Sequence, residues 1–238
     1  MSKSLRFPIA KVVVPVCLLV SAFATPNPVR SLSFTATGQF RYTNQSSGFS
    51  PIRRAQVSIF INGATTPAAS GLTDDSGNFS IPVTGAPNSF NAVAFVIARK
   101  SDSKISVTDS NTNQTLREPS ISKFCNSCST LAFGTTDVSN TDRKKGFFIF
   151  DTLGVTTLVA LAAAPTSWTP NTNVTVTYPA GATYYLSPTI YIVGADGYAA
   201  SPIIHEYGHA AMDMVYGFYP SVIGCNPHTF GAFSSLSS

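Results

Sequence analysis

Residues 56–62 read QVSIFIN and residues 92–98 read AVAFVIA, two short runs of β-branched and aromatic residues bounded by turn-forming residues. Runs of this length and composition predict β-strands. Five or six strands within about 80 residues indicate a β-sandwich, which we place at residues 25–110. The other runs of this kind are SFTATGQFRYT (33–43), NFSIPV (78–83) and KISVT (104–108).

Two short motifs in this region carry a resemblance to a known family. One is A-x-V beginning at Ala55, and the other is T-D-x-x-G-x-F beginning at Thr73. The pattern resembles the carboxypeptidase-regulatory and transthyretin-like β-sandwiches, in which the first motif lies on one strand and the second at the next hairpin. The resemblance implies an accessory role for this part of the chain.

The composition excludes several classes of protein. Charged residues make up 11% of the 238-residue chain, against roughly 25% in an average soluble domain. The net charge of +4 includes three basic residues in the first 24 positions, and without that segment 12 basic residues face 11 acidic ones. A nucleic-acid-binding protein built on a basic stripe, a charged coiled coil and an acidic disordered tail are therefore excluded.

Residues 1–24 predict a secretory signal peptide. The segment has a basic start, an apolar run over residues 12–20 and a small-x-small end at Ala22-Phe23-Ala24. The apolar run is short for a membrane span, although an uncleaved N-terminal anchor is an alternative. We expect a secreted protein, or a periplasmic or cell-surface one, without a stable membrane span after cleavage of the signal.

Residues 111–145 are rich in Ser, Thr and Asn, which predicts a loop-rich connection. The segment contains Cys125-Asn-Ser-Cys128, and a third cysteine of the exported chain is Cys225. A disulfide, local or to Cys225, is favoured for an exported protein. A zinc ribbon needs a second C-x-x-C pair, and a thioredoxin-type redox site needs a βαβ setting.

Residues 146–238 predict a second region that contains helices and strands. FFIFDTLGVTTLVALAAA (147–164) is nearly all apolar and ends at Pro165, and a buried helix is favoured over a membrane span. Residues 174–178 and 189–193 predict strands, with a turn after the second. Together with the sandwich, this region gives an α+β fold.

Residues 201–220, SPIIHEYGHAAMDMVYGFYP, predict one amphipathic helix. Ser201 suits the N-cap, Pro202 the first helical position and Gly217 the C-terminal stop. An apolar stripe with helical spacing predicts the buried face. Its residues are Ile203, Tyr207, Ala211, Met214 and Phe218.

This helix contains the H-E-x-x-H motif, at His205, Glu206 and His209. Two histidines four residues apart project from one helical face, and both imidazoles can bind one Zn²⁺ ion. Glu206 lies about 100° around the helix from His205. It is therefore placed to act as the general base toward a water that the zinc activates.

The motif in its helix resembles the active-site helix of the zincin metallopeptidases. Met212 and Val215 occupy the positions where a metzincin has Gly and His, whereas Asp213, four residues after His209, fits the gluzincin pattern. The resemblance implies a zinc metalloendopeptidase, a hydrolase whose substrates are peptides or proteins. It also implies a third ligand, a Glu farther along, but no Asp or Glu follows Asp213.

HEYGH followed by Cys225-Asn-Pro-His228 is similar to a group of exported metallopeptidase-like proteins in which a Glu and another Cys follow. This resemblance implies that residues 146–238 are an incomplete, C-terminally truncated zincin-like region. His228 is the alternative third ligand. Two other functions remain open: a non-catalytic exported adhesion or carbohydrate-binding β-protein, and an inactive pseudo-peptidase.

Overall fold

A computed structural model describes residues 31–100, 104–163 and 174–216. These residues form an α+β fold dominated by β-sheet, as expected from the sequence. The strands are β1 (Leu32–Thr43), β2 (Phe49–Pro51), β3 (Gln56–Ile61), β4 (Ala69–Leu72), β5 (Asn78–Ala86), β6 (Ser89–Ile97), β7 (Ile105–Asp109), β8 (Gln114–Thr115), β9 (Arg117–Pro119), β10 (Lys123–Asn126), β11 (Thr130–Asp137), β12 (Val174–Ala180), β13 (Tyr184–Leu186) and β14 (Thr189–Val193). The helices are α1 (Thr141–Ala163) and α2 (Ala200–Tyr216), and a 3₁₀ helix spans Gly194–Tyr198.

Two sheets form the β-sandwich. In the first, β1 lies between β11 on one edge and β2 and β5 on the other. In the second, the order is β10-β6-β3-β4, and β9 also pairs with β6. Alternate residues of β5 and β6 enter the core, where the rings of Phe34 and Phe90 meet with centroids 5.0 Å apart.

The turn before β5 explains why the T-D-x-x-G-x-F motif needs its glycine. Gly77 has a φ of +76°, and a Cβ there would collide with the carbonyl oxygen of Phe40. Asp74 closes the same turn, because its Oδ1 accepts the N–H groups of Ser76 and Asn78, both at 2.8 Å. The motif therefore shapes the hairpin that leads into β5.

The segment after the expected sandwich differs from the prediction. Residues 111–145, expected as a loop-rich connection, contain strands β8 to β11 and the start of α1. These strands show little alternation: β8 and β9 have two and three residues, and β11 reads TLAFGTTD and buries only Leu131 and Phe133. Cys125 at the end of β10 forms a disulfide with Cys128.

A third sheet, in the order β13-β14-β12-β7-β8, carries the two helices. β12 runs parallel to β7 and β14, and β13 is antiparallel to β14. The strand predicted at residues 104–108 is β7, which therefore belongs to this sheet and not to the sandwich. The buried face of the three central strands comprises Ile105, Val107, Val174, Val176, Tyr178, Ile190 and Ile192.

Helix α1 begins six residues before the predicted start, because its first turn is polar. The side chain of Asn140 caps it by accepting the N–H of Arg143 at 3.0 Å. Among the described residues, no helix is long and apolar enough to cross a membrane. The prediction of a buried helix fits the core positions Phe147, Phe150 and Leu153.

Two ion pairs attach α1 to the sandwich. Asp151, which is 7% exposed, accepts hydrogen bonds from Arg53 Nε at 2.8 Å and Arg53 Nη2 at 2.5 Å. The hydroxyl of Tyr42 lies 3.5 Å from the same carboxylate, and burial raises the pKa of Tyr42 well above its usual value. Arg143 pairs with the buried Glu118 of β9 at 2.6 Å.

We predict that Arg53→Ala destabilises the protein by about 2–4 kcal/mol. The substitution leaves the Asp151 carboxylate buried without its cation, which typically costs about 3–5 kcal/mol, and the partial exposure of Arg53 reduces that figure. Urea unfolding of the full chain at pH 7 measures the change in the free energy of unfolding.

Asp75→Ala is the matched control, because it breaks the exposed ion pair of Asp75 with Arg54. The two side chains of that pair are 67% and 44% exposed. We expect a much smaller loss than in Arg53→Ala, because solvent screens the exposed pair. Equal losses in the two variants would contradict the role given to the Arg53–Asp151 pair.

Candidate metal centre

The 3₁₀ helix that precedes α2 is held by α1 and by the sandwich. Lys145 of α1 donates from Nζ to the carbonyl oxygen of Gly194 at 2.8 Å. Phe148 of α1 meets the ring of Tyr198 edge-on, and the Tyr198 hydroxyl donates to the carbonyl oxygen of Thr43 in β1 at 3.2 Å. These contacts fix the point at which α2 begins.

Close packing at this point leaves no room for a side chain at Gly197. A Cβ there would lie 2.8 Å from Cβ of Lys145 and 2.9 Å from the hydroxyl of the buried Tyr178. The chain can therefore bring the 3₁₀ helix against α1 and β12 only with glycine at this position.

Helix α2 begins at Ala200, one residue before the N-cap predicted at Ser201. The predicted stripe is buried at Ile203 and Tyr207, and it is partly buried at Ala211 and Met214. The structure adds Ala210 to the buried face, which the stripe did not include. Three predicted positions, Phe218, Gly217 and Pro220, lie outside the described residues.

The structure brings the two predicted metal-binding histidines together. The Nε2 atoms of His205 and His209 are 3.0 Å apart, and the ring planes are nearly perpendicular at 89°. The spacing of one helical turn and the shared face of α2 produce this arrangement. Both imidazoles therefore point their Nε2 atoms at one place beside the helix.

Glu206 lies deeper in the protein than the histidines. It is 4% exposed, His209 is 9% exposed and His205 is partly exposed. The helical positions place Glu206 on the side of α2 that also buries Ile203 and Ala210. Glu206 therefore lies on the core side of α2, one residue after His205 and three before His209.

The donor set fits part of a zinc site. In tetrahedral sites with Zn–N bonds of about 2.0–2.1 Å, two nitrogen ligands lie roughly 3.3 Å apart, close to the observed 3.0 Å. His205 and His209 can therefore hold two of the four positions. Within the described ranges, no group of three His, Cys, Asp or Glu residues could hold a metal ion. Cys225 and His228 lie outside those ranges.

Asp213 connects α2 to the edge strand β13. Its Oδ2 accepts hydrogen bonds from the hydroxyls of Tyr185 at 2.7 Å and Ser187 at 2.5 Å. These bonds hold the pKa of Asp213 below its usual value, with Ser187 as the larger cause. No sequence pattern indicates Tyr185 and Ser187, because their contact with α2 depends on how β13 packs in space.

Comparisons with known proteins relate the C-terminal part of the chain to secreted peptidases. Residues 162–237 match the family model "Mycolysin C-terminal domain", and this segment contains α2 and the histidine pair. No curated protein matches the chain.

A solved structure, a 9R-lipoxygenase from Cyanothece PCC8801, is similar at 17% identity with a TM-score of 0.26. The match covers 53% of this chain and 23% of the lipoxygenase chain. The likeness is too low to bear on the fold or the function of this chain.

The link between α2 and β13 predicts an energetic coupling between Tyr185 and Asp213. A double-mutant cycle with Tyr185→Phe and Asp213→Asn should give a coupling of about 1–2 kcal/mol in the free energy of unfolding, because the hydrogen bond joins a hydroxyl to a carboxylate. Urea unfolding of the four proteins measures it. A coupling indistinguishable from zero would contradict the link.

The same coupling should depend on pH. Since the folded pKa of Asp213 is depressed, its contribution is complete above the unfolded value of about 3.9. This contribution is lost as the pH falls through the lower pKa that Asp213 has in the folded protein. Burial raises the pKa of Tyr185 to about 12, so its hydroxyl remains a donor throughout this range. A coupling that is unchanged at pH 2 would contradict this assignment.

Proposed function

We propose that this chain is an exported zinc-dependent metallopeptidase that hydrolyses peptide bonds. The observation that carries the proposal is the convergence of the His205 and His209 Nε2 atoms to 3.0 Å on one helix, with Glu206 between them in sequence. The similarity of residues 162–237 to a mycolysin domain supports the same class of protein.

His205 and His209 would hold the metal, and the remaining protein ligand would come from outside the described residues. Zinc held there would supply a Lewis acid and would lower the pKa of a bound water to about 7. His228 is the candidate third ligand within this sequence. A Glu, which the zincin resemblance implies, is the alternative.

Glu206 is the general base of the proposal. As a carboxylate beside the two histidines, it takes the proton of the attacking water and can deliver it to the departing amine nitrogen. Its side chain is 4% exposed, so bulk water has little access to it. Electrostatic interactions of the carboxylate are stronger in such a place than in water.

The position of β13 supports a peptide substrate. β13 is the edge strand of the third sheet, contacts α2 and, within the described part of the chain, pairs with β14 alone. An extended peptide can add to such an edge through main-chain hydrogen bonds. Because Asp213 joins α2 to β13, a peptide there would lie beside the helix that carries the histidines.

The proposal predicts that zinc binding and hydrolysis separate in variants of the full chain. His205→Ala and His209→Ala should lose most of the bound zinc, because each removes one metal ligand. Glu206→Gln should keep zinc and lower the hydrolysis of a quenched fluorescent peptide by at least about a hundredfold, because it removes the base. Metal content by mass spectrometry and peptide hydrolysis rates measure the two properties.

Ile204→Ala is the matched control, since Ile204 lies on the same helix, is 43% exposed and carries no donor atom. It should retain both zinc and activity.

His228→Ala tests the third ligand: loss of zinc assigns His228 to the metal. Full activity in Glu206→Gln would refute the mechanism. Stoichiometric zinc without any hydrolysis would favour the pseudo-peptidase, and absence of zinc from the wild type would favour a non-catalytic β-protein.

A further inference from the structure

A groove of about 930 Å³ lies on the outer face of the second sandwich sheet. The central strands β3 and β6 form its floor through Phe60, Val93 and Phe95. The turn after β3 forms one wall with Asn62, and Arg117 of β9 lies at the opposite wall. None of these residues belongs to α2 or to its histidine pair.

The floor is unusually apolar for the outer face of a sandwich. Strand alternation directs Phe90, Ala92, Ala94 and Val96 into the core, so Val93 and Phe95 face outward. The rings of Phe60 and Phe95 meet edge to face with centroids 5.4 Å apart. A concave apolar surface bounded by polar walls is typical of a ligand site.

Arg117 gives the groove its charge. Its guanidinium lies 5.2 Å from the centre of the Phe95 ring, which orients it over the floor. None of the four ion pairs among the described residues includes Arg117, and no acidic residue lines the groove. A planar guanidinium in this setting suits a carboxylate, which it can bind through two parallel hydrogen bonds.

Amide groups are fixed at the rim. Asn62 Oδ1 accepts the N–H of Asn91 at 2.9 Å, and the N–H of Asn62 donates to the carbonyl oxygen of Asn91 at 2.8 Å. The turn is thereby attached to β6, and Asn62 and Asn91 both line the groove. Side-chain amides can both donate to and accept from hydroxyl groups.

We propose that this groove binds an acidic saccharide, a chain of sugar rings that carry carboxylates. The apolar faces of the rings would lie on Phe60 and Phe95, a carboxylate on Arg117, and hydroxyls on the rim amides. An extended peptide is disfavoured, because β6 pairs with β3 on one edge and with β9 and β10 on the other. Its main chain is therefore not available for strand addition.

Isothermal titration of the full wild-type chain with tetragalacturonate tests the proposal, and its fully methyl-esterified form is the uncharged matched ligand. We expect saturable binding of the acid and binding of the ester that is at least about tenfold weaker, since the ester lacks the charge-assisted bonds. Arg117→Gln should weaken binding of the acid by a similar factor and leave the ester unchanged. Phe60→Leu should weaken binding of both ligands.

Arg99→Gln is the control for nonspecific attraction, because it removes the same charge outside the groove, where Arg99 donates to Thr115 Oγ1 at 3.0 Å. It should bind like the wild type, and thermal unfolding confirms that each variant is folded. Three results would each overturn the proposal. They are the absence of saturable binding of tetragalacturonate, a loss of affinity in Arg99→Gln equal to that in Arg117→Gln, and an affinity for tetraglutamate equal to that for tetragalacturonate. The outcome does not depend on zinc or on peptide hydrolysis.

Discussion

The buried carboxylate of Asp151 constrains how the rest of the chain is arranged. A carboxylate in an apolar interface is costly unless a cation meets it, and Arg53 between β2 and β3 meets it with two hydrogen bonds. Helix α1 is thereby placed against the sandwich while its other side packs on the third sheet. Lys145 of the same helix holds the 3₁₀ helix from which α2 starts. The position of the histidine pair thus depends, through α1, on a charge in the core.

Sequence patterns predicted the strands and helices in which apolar residues recur at a regular interval. The strands β3, β6, β12 and β14 and the helix α2 were found because apolar residues recur at intervals of two or of three to four. β9, β10 and β11 were missed, because β9 (REP) and β10 (KFCN) have only three and four residues and β11 shows alternation at only two residues. Their polar composition resembles that of a loop, and tertiary pairing decides the outcome.

The candidate site was predictable to the extent that it is local. His205 and His209 belong to one helical turn, so their spacing predicts that they converge, and the structure brings their Nε2 atoms to 3.0 Å. The bonds from Tyr185 and Ser187 to Asp213 join residues 28 and 26 positions apart, respectively. Nothing in the sequence near Asp213 specifies those partners, because they depend on the packing of β13 against α2. A ligand from a distant segment is hidden from sequence patterns for the same reason.

The chain leaves the sandwich after β6, forms β7 and β8 in the third sheet, and returns to complete the sandwich with β9, β10 and β11. Neither layered unit is therefore encoded by one uninterrupted segment. A ribosome must synthesise residues through Asp137 before the first sheet can acquire β11 beside β1. A gene rearrangement that cut the chain after Asp137 would separate β7 and β8 from the rest of the third sheet, and one that cut it after Ile97 would separate β9, β10 and β11 from the sandwich. The sandwich and the helix-bearing sheet can consequently both be completed only within one continuous stretch of chain.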